Sequence, residues 1–469
     1  MLTYDISERG NMTIYEYLYR CIKDDIIKGR LSLGEKLPSK RKMAQQHQIS
    51  LKTVENAYEQ LLMEGYISAR EKSGYYVMEA EAGYEPRRRT SYTAMQTGSR
   101  GEEASNITID LTSNRAAIEK FPYDTWAKVM RGILSEKENV LLDTVPFAGV
   151  YELRVEIARY LYEYRGIEAE PEQIIIGAGT EYLHGLLIQL LGNHRIYGVE
   201  NPGYHKIARI YENMKVEYAK VTLDQDGVSI RELEEKCVDV IHTSPSHHFP
   251  TGIVMPVSRR YELLGWAAKS PDHYIIEDDY DSELRLTGKP FPTLQSIDVS
   301  DRVIYMNTFT KTLASTVRIS YMVLPLTLTE IFYQKLSFYS CTVSNFEQYT
   351  LAKFMENGSF EKHINRMRNF YKNHRNQVIA KLKESRLWQM ASIYEEDAGL
   401  HFLLHIDTQK EDSVIKDQLQ QRGIRLRGMS DYTYDGSQVI PHTFIINYTA
   451  IDPQDLPEVL EEIYQVCIN

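Results

Sequence analysis

Apolar residues fall at Ile14, Tyr17, Leu18, Cys21, Ile22 and Ile26, a three-to-four spacing that predicts an amphipathic helix from Thr13 to Lys28. Two shorter helices follow. Ser39 is placed to cap a helix that turns Met43 and Ala44 inward, and Ser50 to cap one that buries Val54, Ala57, Tyr58, Leu61 and Leu62. Gly65 ends the second. Tyr66 to Ala69 and Gly74 to Met78 then read as two strands about a turn at Lys72-Ser73-Gly74. The order is a helix-turn-helix followed by a β wing. Glu79 to Asn106 has no apolar period and mixes Gly, Pro, Ser and Thr with charge, the texture of a linker. From Ile107 onward, short apolar runs (QIIIGAG, VDVIHTSP, HYIIEDDY, RVIYMNTF) alternate with helical stretches, which predicts an α/β domain with a mostly parallel sheet. The expected division is 1–78, a linker over 79–106, and 107–469.

Composition changes this picture little. A length of 469 residues argues for at least two domains, and 43% hydrophobic with 25% charged residues is ordinary for a soluble protein. Cys21, Cys237, Cys341 and Cys467 form no CxxC pair, so a zinc knuckle or redox motif is not expected and reduced thiols are. No apolar run reaches the ~18 residues of a membrane span, and the N-terminus carries no signal-peptide pattern. A cytoplasmic protein is expected. Charge does matter locally. The whole chain is at −11, yet Thr13 to Met78 holds eleven Lys/Arg against eight Asp/Glu, which leaves the remainder at −14. Positive charge is concentrated where DNA would lie.

The second short helix suits the major groove, with Ser50, Lys52 and Thr53 of its first turn reaching base edges and phosphates. The run LPSKRKMAQQHQISLKTVENAYEQLLMEGYI resembles the GntR-type winged helix throughout, from Leu-Pro-Ser-x-Arg to Leu-x-x-Glu-Gly-Tyr. The resemblance implies duplex DNA as partner and Ser39, Arg41, Ser50, Lys52, Thr53, Lys72 and Gly74 as the DNA-facing set. Many relatives carry Arg directly after the second capping Ser. Here that residue is Leu51, so their operator sequence does not carry over.

Four signals run along the larger domain. In IIIGAGTEYLHGLLIQLL a strand enters Gly177-Ala178-Gly179-Thr180 and then a helix, whose bare amides and Thr hydroxyl suit a phosphate. In ENPGYHKIARI a strand end delivers Tyr204, a ring able to stack on a planar group or simply to pack. In HYIIEDDYDSEL a strand ends on Glu277, Asp278, Asp279 and Tyr280, where ligands of such sheets bind. A carboxylate there can hold a pyridinium N–H and the Tyr can donate to a phenolate; a metal site or a solvated loop fits the acids as well. In VIYMNTFTKTLASTVRISYMV, Lys311 follows a strand among small polar residues, able to form a Schiff base with an aldehyde, and Thr308, Thr310 and Arg318 can hold a phosphate dianion.

Together a phosphate cradle, a stacking ring, an Asp, a Tyr and a Lys describe a site for pyridoxal phosphate. From Ile107 to the C-terminus the chain resembles fold-type-I aminotransferases. With the winged helix in front, and with the phrases PSHHFPTGIVMPVSRRYELLGWA and IIEDDYDSEL, it is similar to the MocR/GabR-type regulators. The resemblance implies that Lys311 is the aldimine lysine, Asp278 the partner of the pyridine nitrogen, Tyr280 that of the phenolate and Tyr204 the stacking ring. Gly179, Thr180, Thr308, Thr310 and Arg318 fall at the phosphate. It also implies a head-to-tail homodimer with each winged helix over the partner's larger domain.

The chain departs from working aminotransferases in two places. Phe249 precedes Pro250-Thr251-Gly252 where they carry Asn, and the strand TFIINYTAI has no Arg to grip a substrate carboxylate. Efficient transamination is therefore less expected. The relative that senses 4-aminobutanoate uses Arg at two positions that are Lys206 and Asp431 here. These two are the expected effector contacts, and an acid near the pocket would favour an ammonium or hydroxyl over a free carboxylate. Hence 4-aminobutanoate is not expected as the effector. The expected function is a transcription regulator that senses an amino compound, or pyridoxal phosphate itself, through Lys311. The alternative is an active aminotransferase with an accessory N-terminal module.

Overall fold

The computed structural model describes residues 3–70, 73–78, 108–113, 117–286, 291–396, 399–434, 436 and 440–468. The expected linker over 79–106 and the wing residue Lys72 lie outside these. The chain divides into two compact units, Met1–Glu103 and Ala104–Asn469. Among the described residues no helix is long and apolar enough to cross a membrane.

The N-terminal unit contains helices α1 (Ile14–Ile27), α2 (Lys40–His47) and α3 (Leu51–Met63) and strands β1 (Ile67–Arg70) and β2 (Gly74–Val77). Each helix starts where its cap predicts. Thr13 and Glu16 form a capping box on α1. Ser39 Oγ accepts from the Lys42 N–H at 3.2 Å and Ser50 Oγ from the Thr53 N–H at 3.1 Å. The tight turn between α2 and α3 needs a left-handed residue, and Gln48 supplies it at φ 53°. Leu18, Ile22, Met43, Val54, Ala57, Tyr58 and Leu61 close one core with Ile67 and Val77 of the wing. The wing strands pair antiparallel, Ile67 with Val77 through Arg70 with Gly74.

The C-terminal unit is built on an eight-stranded sheet. In spatial order its strands are Ile174–Gly177, Ser320–Val323, Val303–Thr308, Tyr274–Asp278, Val240–Thr243, Tyr197–Asn201, Tyr218–Asp224 and Gly227–Val228. The five from Val303–Thr308 to Tyr218–Asp224 are parallel; Ser320–Val323 and Gly227–Val228 run against their neighbours. Apart from the strand Tyr218–Asp224 near the sheet's edge, their residues are nearly all buried, as expected of strands covered on both faces by helices. A second, antiparallel sheet places Ala391–Tyr394, His401–Ile406, Thr443–Asn447 and Arg427–Gly428 side by side, over a separate apolar core with the helices Ser359–Glu384 and Leu456–Ile468.

Candidate functional site

In a parallel sheet ligands gather beyond the carboxyl ends of the strands, and a cavity of about 380 Å3 lies there. Its wall includes Gly179, Thr180, Tyr204, Asp278, Tyr280, Thr308, Thr310, Lys311 and Arg318, every residue expected at the cofactor. Eight come from the carboxyl ends of four separate strands, and Arg318 from just before a fifth, Ser320–Val323.

Strand alternation sorts the acidic run. Glu277 turns to one face, accepting from the backbone N–H of Leu294 and Gln295 at 2.8 and 2.9 Å. Asp279 turns the same way into a buried ion pair with Arg165 at 2.7 Å, and also accepts from the Tyr305 hydroxyl. Asp278 alone faces the cavity. Its Oδ2 lies 3.4 Å from His242 Nε2, and its Oδ1 is buried with no hydrogen-bond partner. A buried carboxylate oxygen without a donor is costly, and a pyridinium N–H is a donor of the right charge. Behind it, burial and the neighbouring His242 lower the His184 pKa to about 3, so this ring stays neutral.

The lysine stands just past the end of Val303–Thr308, flanked by the buried Phe309 and Leu313. Burial lowers the Lys311 pKa from 10.5 to about 8, against the opposing pull of the Asp281 carboxylate. Tyr280 Oη lies 3.3 Å from His247 Nδ1, and burial first, then Asp281, pushes the phenol pKa up, so it is held as a donor. Tyr204 stands at the start of the helix His205–Asn213, with its ring edge-on to Phe249 at 6.1 Å.

The phosphate end is equally built. Gly179 (φ 95°) caps the helix Thr180–Leu191, and a Cβ there would collide with the Arg318 guanidinium. Thr308 and Thr310 share a 2.9 Å hydroxyl hydrogen bond. Arg318 pairs with Glu181 at 2.8 Å, and Lys206 pairs with the same carboxylate. Burial opposes ionisation of Glu181, but Lys206 and Arg318 prevail and its pKa falls to about 2. These residues fit pyridoxal phosphate: an acid with one buried oxygen lacking a donor at one end, and at the other a glycine-lined helix start with two hydroxyls and an Arg.

Two expected effector contacts fare differently. Lys206 lines the cavity, already paired with Glu181. Asp431 does not line it: its carboxylate holds Lys416 and accepts from the Gly428 N–H at 2.9 Å, capping its own turn. Asp431 therefore does not offer the cavity the acid that was expected to favour an ammonium or hydroxyl over a carboxylate, while the two positions still carry no Arg. Arg427, four residues before Asp431, enters the wall instead, with Thr112, Glu181, Glu200, His242 and Tyr432. None of these stood out in sequence. Only the basic run IRLRG hinted at an Arg.

In the N-terminal unit, Arg41 and Lys52 are exposed and, among the described residues, form no ion pair. Ser39 and Ser50 serve as helix caps, and Thr53 Oγ1 lies 2.7 Å from Ser50 Oγ, so their hydroxyls are partly engaged. Gly74 begins β2 at φ 112°. Two cations gathered at the wing were not anticipated, Arg70 of β1 and Lys36 from the segment between α1 and α2. Arg70 stacks over the Tyr76 ring at 4.4 Å, and Lys36 lies 5.8 Å from that ring.

Comparisons with known proteins agree with both units. Residues 14–77 match the family of bacterial regulatory proteins of gntR type, and residues 106–463 match aminotransferase class I and II. An uncharacterized HTH-type transcriptional regulator of Bacillus subtilis, YdeL, is 37% identical over 90% of each chain. The probable rhizopine catabolism regulatory protein MocR of Rhizobium meliloti is 30% identical over 96% of this chain and 92% of its own. Among solved structures, a Pyrococcus horikoshii kynurenine aminotransferase superimposes with a TM-score of 0.68 at 25% identity, covering 78% of this chain and 91% of that one. A gntR-type helix-turn-helix joined to a class I and II aminotransferase domain, shared nearly end to end with regulators of that build, makes this chain a member of the MocR/GabR-type family of transcriptional regulators.

Proposed function

We propose that the chain is a pyridoxal-phosphate-dependent transcription regulator that binds promoter DNA through its N-terminal unit and senses a small amino compound in the cavity of the C-terminal unit. The observation that carries this reading is the cavity wall. Nine side chains or backbone positions suited to one coenzyme converge on it, and Asp278 offers it an oxygen with no other donor.

The bound coenzyme supplies an aldehyde that captures primary amines. The chain's residues do the rest. Lys311 provides the amine that anchors it, available near neutral pH because burial disfavours its charged form. Asp278 keeps a proton on the ring nitrogen, Tyr280 donates to the phenolate oxygen and Tyr204 covers the ring. Gly179, Thr180, Thr308, Thr310 and Arg318 hold the phosphate. On the DNA, Arg41, Lys52 and the wing around Gly74 meet the duplex, with Ser50 and Thr53 at the entry of α3. Regulation follows if the effector binds the DNA-competent and DNA-incompetent states unequally.

Sensing is favoured over turnover by Phe249. It packs edge-on against Tyr204 and Tyr432, where an apolar ring cannot hydrogen-bond the phenolate and so weakens control of proton transfer. The chain acts as a homodimer in this reading, and exposed Tyr123, Leu142 and Phe338 give it apolar surface to bury. A gel shift on the DNA upstream of the chain's own coding region, with and without coenzyme, tests the proposal. Coenzyme-dependent change in a specific complex supports it. Absence of specific binding to any tested promoter, together with rapid amino-group transfer between amino and keto acids, favours the enzyme.

A further inference from the structure

Tyr280 lines the cavity, but the hydrogen bond of its hydroxyl leads out of the wall, to His247. Three segments meet at that histidine. His247 lies in the loop after the strand Val240–Thr243, Asp281 just beyond the strand Tyr274–Asp278, and Gly399 two residues before the strand His401–Ile406 of the second sheet. His247 and Asp281 are buried, each about 4% exposed. The imidazole packs against bare backbone: a Cβ at Gly399 would fall 2.0 Å from its Cε1 and 2.6 Å from Asp281 Oδ2. The His401 ring lies 4.7 Å away, centroid to centroid. The ring is thus held from several sides.

The hydrogen on this imidazole can be placed. Nδ1 lies 2.8 Å from Asp281 Oδ2 and 3.3 Å from Tyr280 Oη. Nε2 is buried and, among the described residues, has no hydrogen-bond partner. A carboxylate only accepts, so the nitrogen beside it carries a hydrogen. Tyr280 therefore meets an N–H and not a lone pair. Its oxygen accepts the longer, shared contact, and its own hydrogen is left to point into the cavity. The opposite tautomer would draw the phenol hydrogen onto Nδ1 and away from the coenzyme. Phe249, with no donor, cannot make up that loss.

We propose that His247, oriented by Asp281, is a positioning residue that turns the Tyr280 hydroxyl toward the coenzyme phenolate. The inference rests on the coenzyme reading of the cavity and adds the pair that sets the direction of one of its hydrogen bonds. Besides Asp281, the charged groups near the imidazole are Arg165 and Arg285, which share a small cavity of about 20 Å3 with it, and Lys311, which feels Asp281. His401 packs on it as a neutral ring, its pKa held well below the ordinary value by burial and then by His247.

The test uses the full-length, coenzyme-loaded protein and follows its visible absorbance against pH. A hydrogen bond donated to the phenolate weakens the hold of that end of the coenzyme on a proton, so the midpoint of the spectral change reports it. Y280F should raise the midpoint by about one pH unit. H247F and H247Q should each raise it by about half a unit, since the phenyl ring has no N–H and the longer amide stands near Nε2, not Nδ1. H247N, whose amide stands near Nδ1, should stay close to wild type. In a Y280F background H247Q should add no further shift, because no hydroxyl is left to orient. Should H247F not fold, H247Q carries the comparison. The proposal is overturned if H247Q keeps the wild-type midpoint, or if its shift persists in full beside Y280F. A protein that never takes up colour fails the coenzyme reading itself, which separates the two failures.

Discussion

Lys311 offers a prediction whose magnitude follows from its surroundings. An ordinary lysine ionises at 10.5, and burial brings this one to about 8. At pH 7 the neutral, nucleophilic fraction is then about 9%, against about 0.03% for a solvated lysine, an advantage of about 300-fold. Mixing apoprotein with coenzyme in a stopped-flow instrument and following visible absorbance gives the capture rate across pH. It should climb roughly tenfold per pH unit below about pH 8 and flatten above it, as expected once the amine is mostly neutral. The Asp281 carboxylate opposes the shift, so D281N should move the bend to lower pH. The same group affects stability. Between about pH 8 and 10.5 the unfolded chain binds a proton at Lys311 that the native chain does not, so apoprotein stability rises with pH there. K311M should remove this component. A rate that keeps climbing tenfold per unit beyond about pH 10 would refute the enclosed-lysine account.

Other parts of the structure give sharper mutational expectations. Gly179→Ala puts a methyl into the Arg318 guanidinium at a positive φ, and coenzyme affinity measured by equilibrium titration should fall by at least about a hundredfold. Asp279→Ala leaves Arg165 buried without its carboxylate, so denaturant unfolding should show a loss of about 3–5 kcal/mol. Lys52→Ala removes the phosphate contact proposed for the first turn of α3. DNA affinity should drop on all sequences alike, and the slope of log K against log salt should flatten by about 0.9.

How much of this was legible in sequence depends on how local the cause is. Ser39 and Ser50 bond N–H groups three residues away, and their helices begin where the caps predict. The wing strands came within one residue, Ile67–Arg70 and Gly74–Val77. Asp278 was singled out by the family resemblance, since the run Glu277-Asp278-Asp279 by itself left the choice open; in the fold, alternation along the strand leaves only the middle acid on the ligand side. The direction of Asp431 was not legible, because it is set by Lys416, fifteen residues earlier, on a different element. Arg427 enters the cavity through its pairing with the strand Thr443–Asn447, and Glu181 meets Arg318 from 137 residues away. A motif read along the chain holds no record of such cross-fold neighbours. The same holds for Arg70 and Lys36, which gather on Tyr76 only once the wing has folded.

The coenzyme attachment itself is the most direct test of the whole account. The purified, coenzyme-supplemented protein is reduced with borohydride, digested and analysed by mass spectrometry, while a parallel aliquot is bound to promoter DNA. The account predicts a single phosphopyridoxyl mass addition on the peptide containing Lys311, and its loss in K311A. A colourless protein with no such adduct, or an adduct on another lysine, would contradict it.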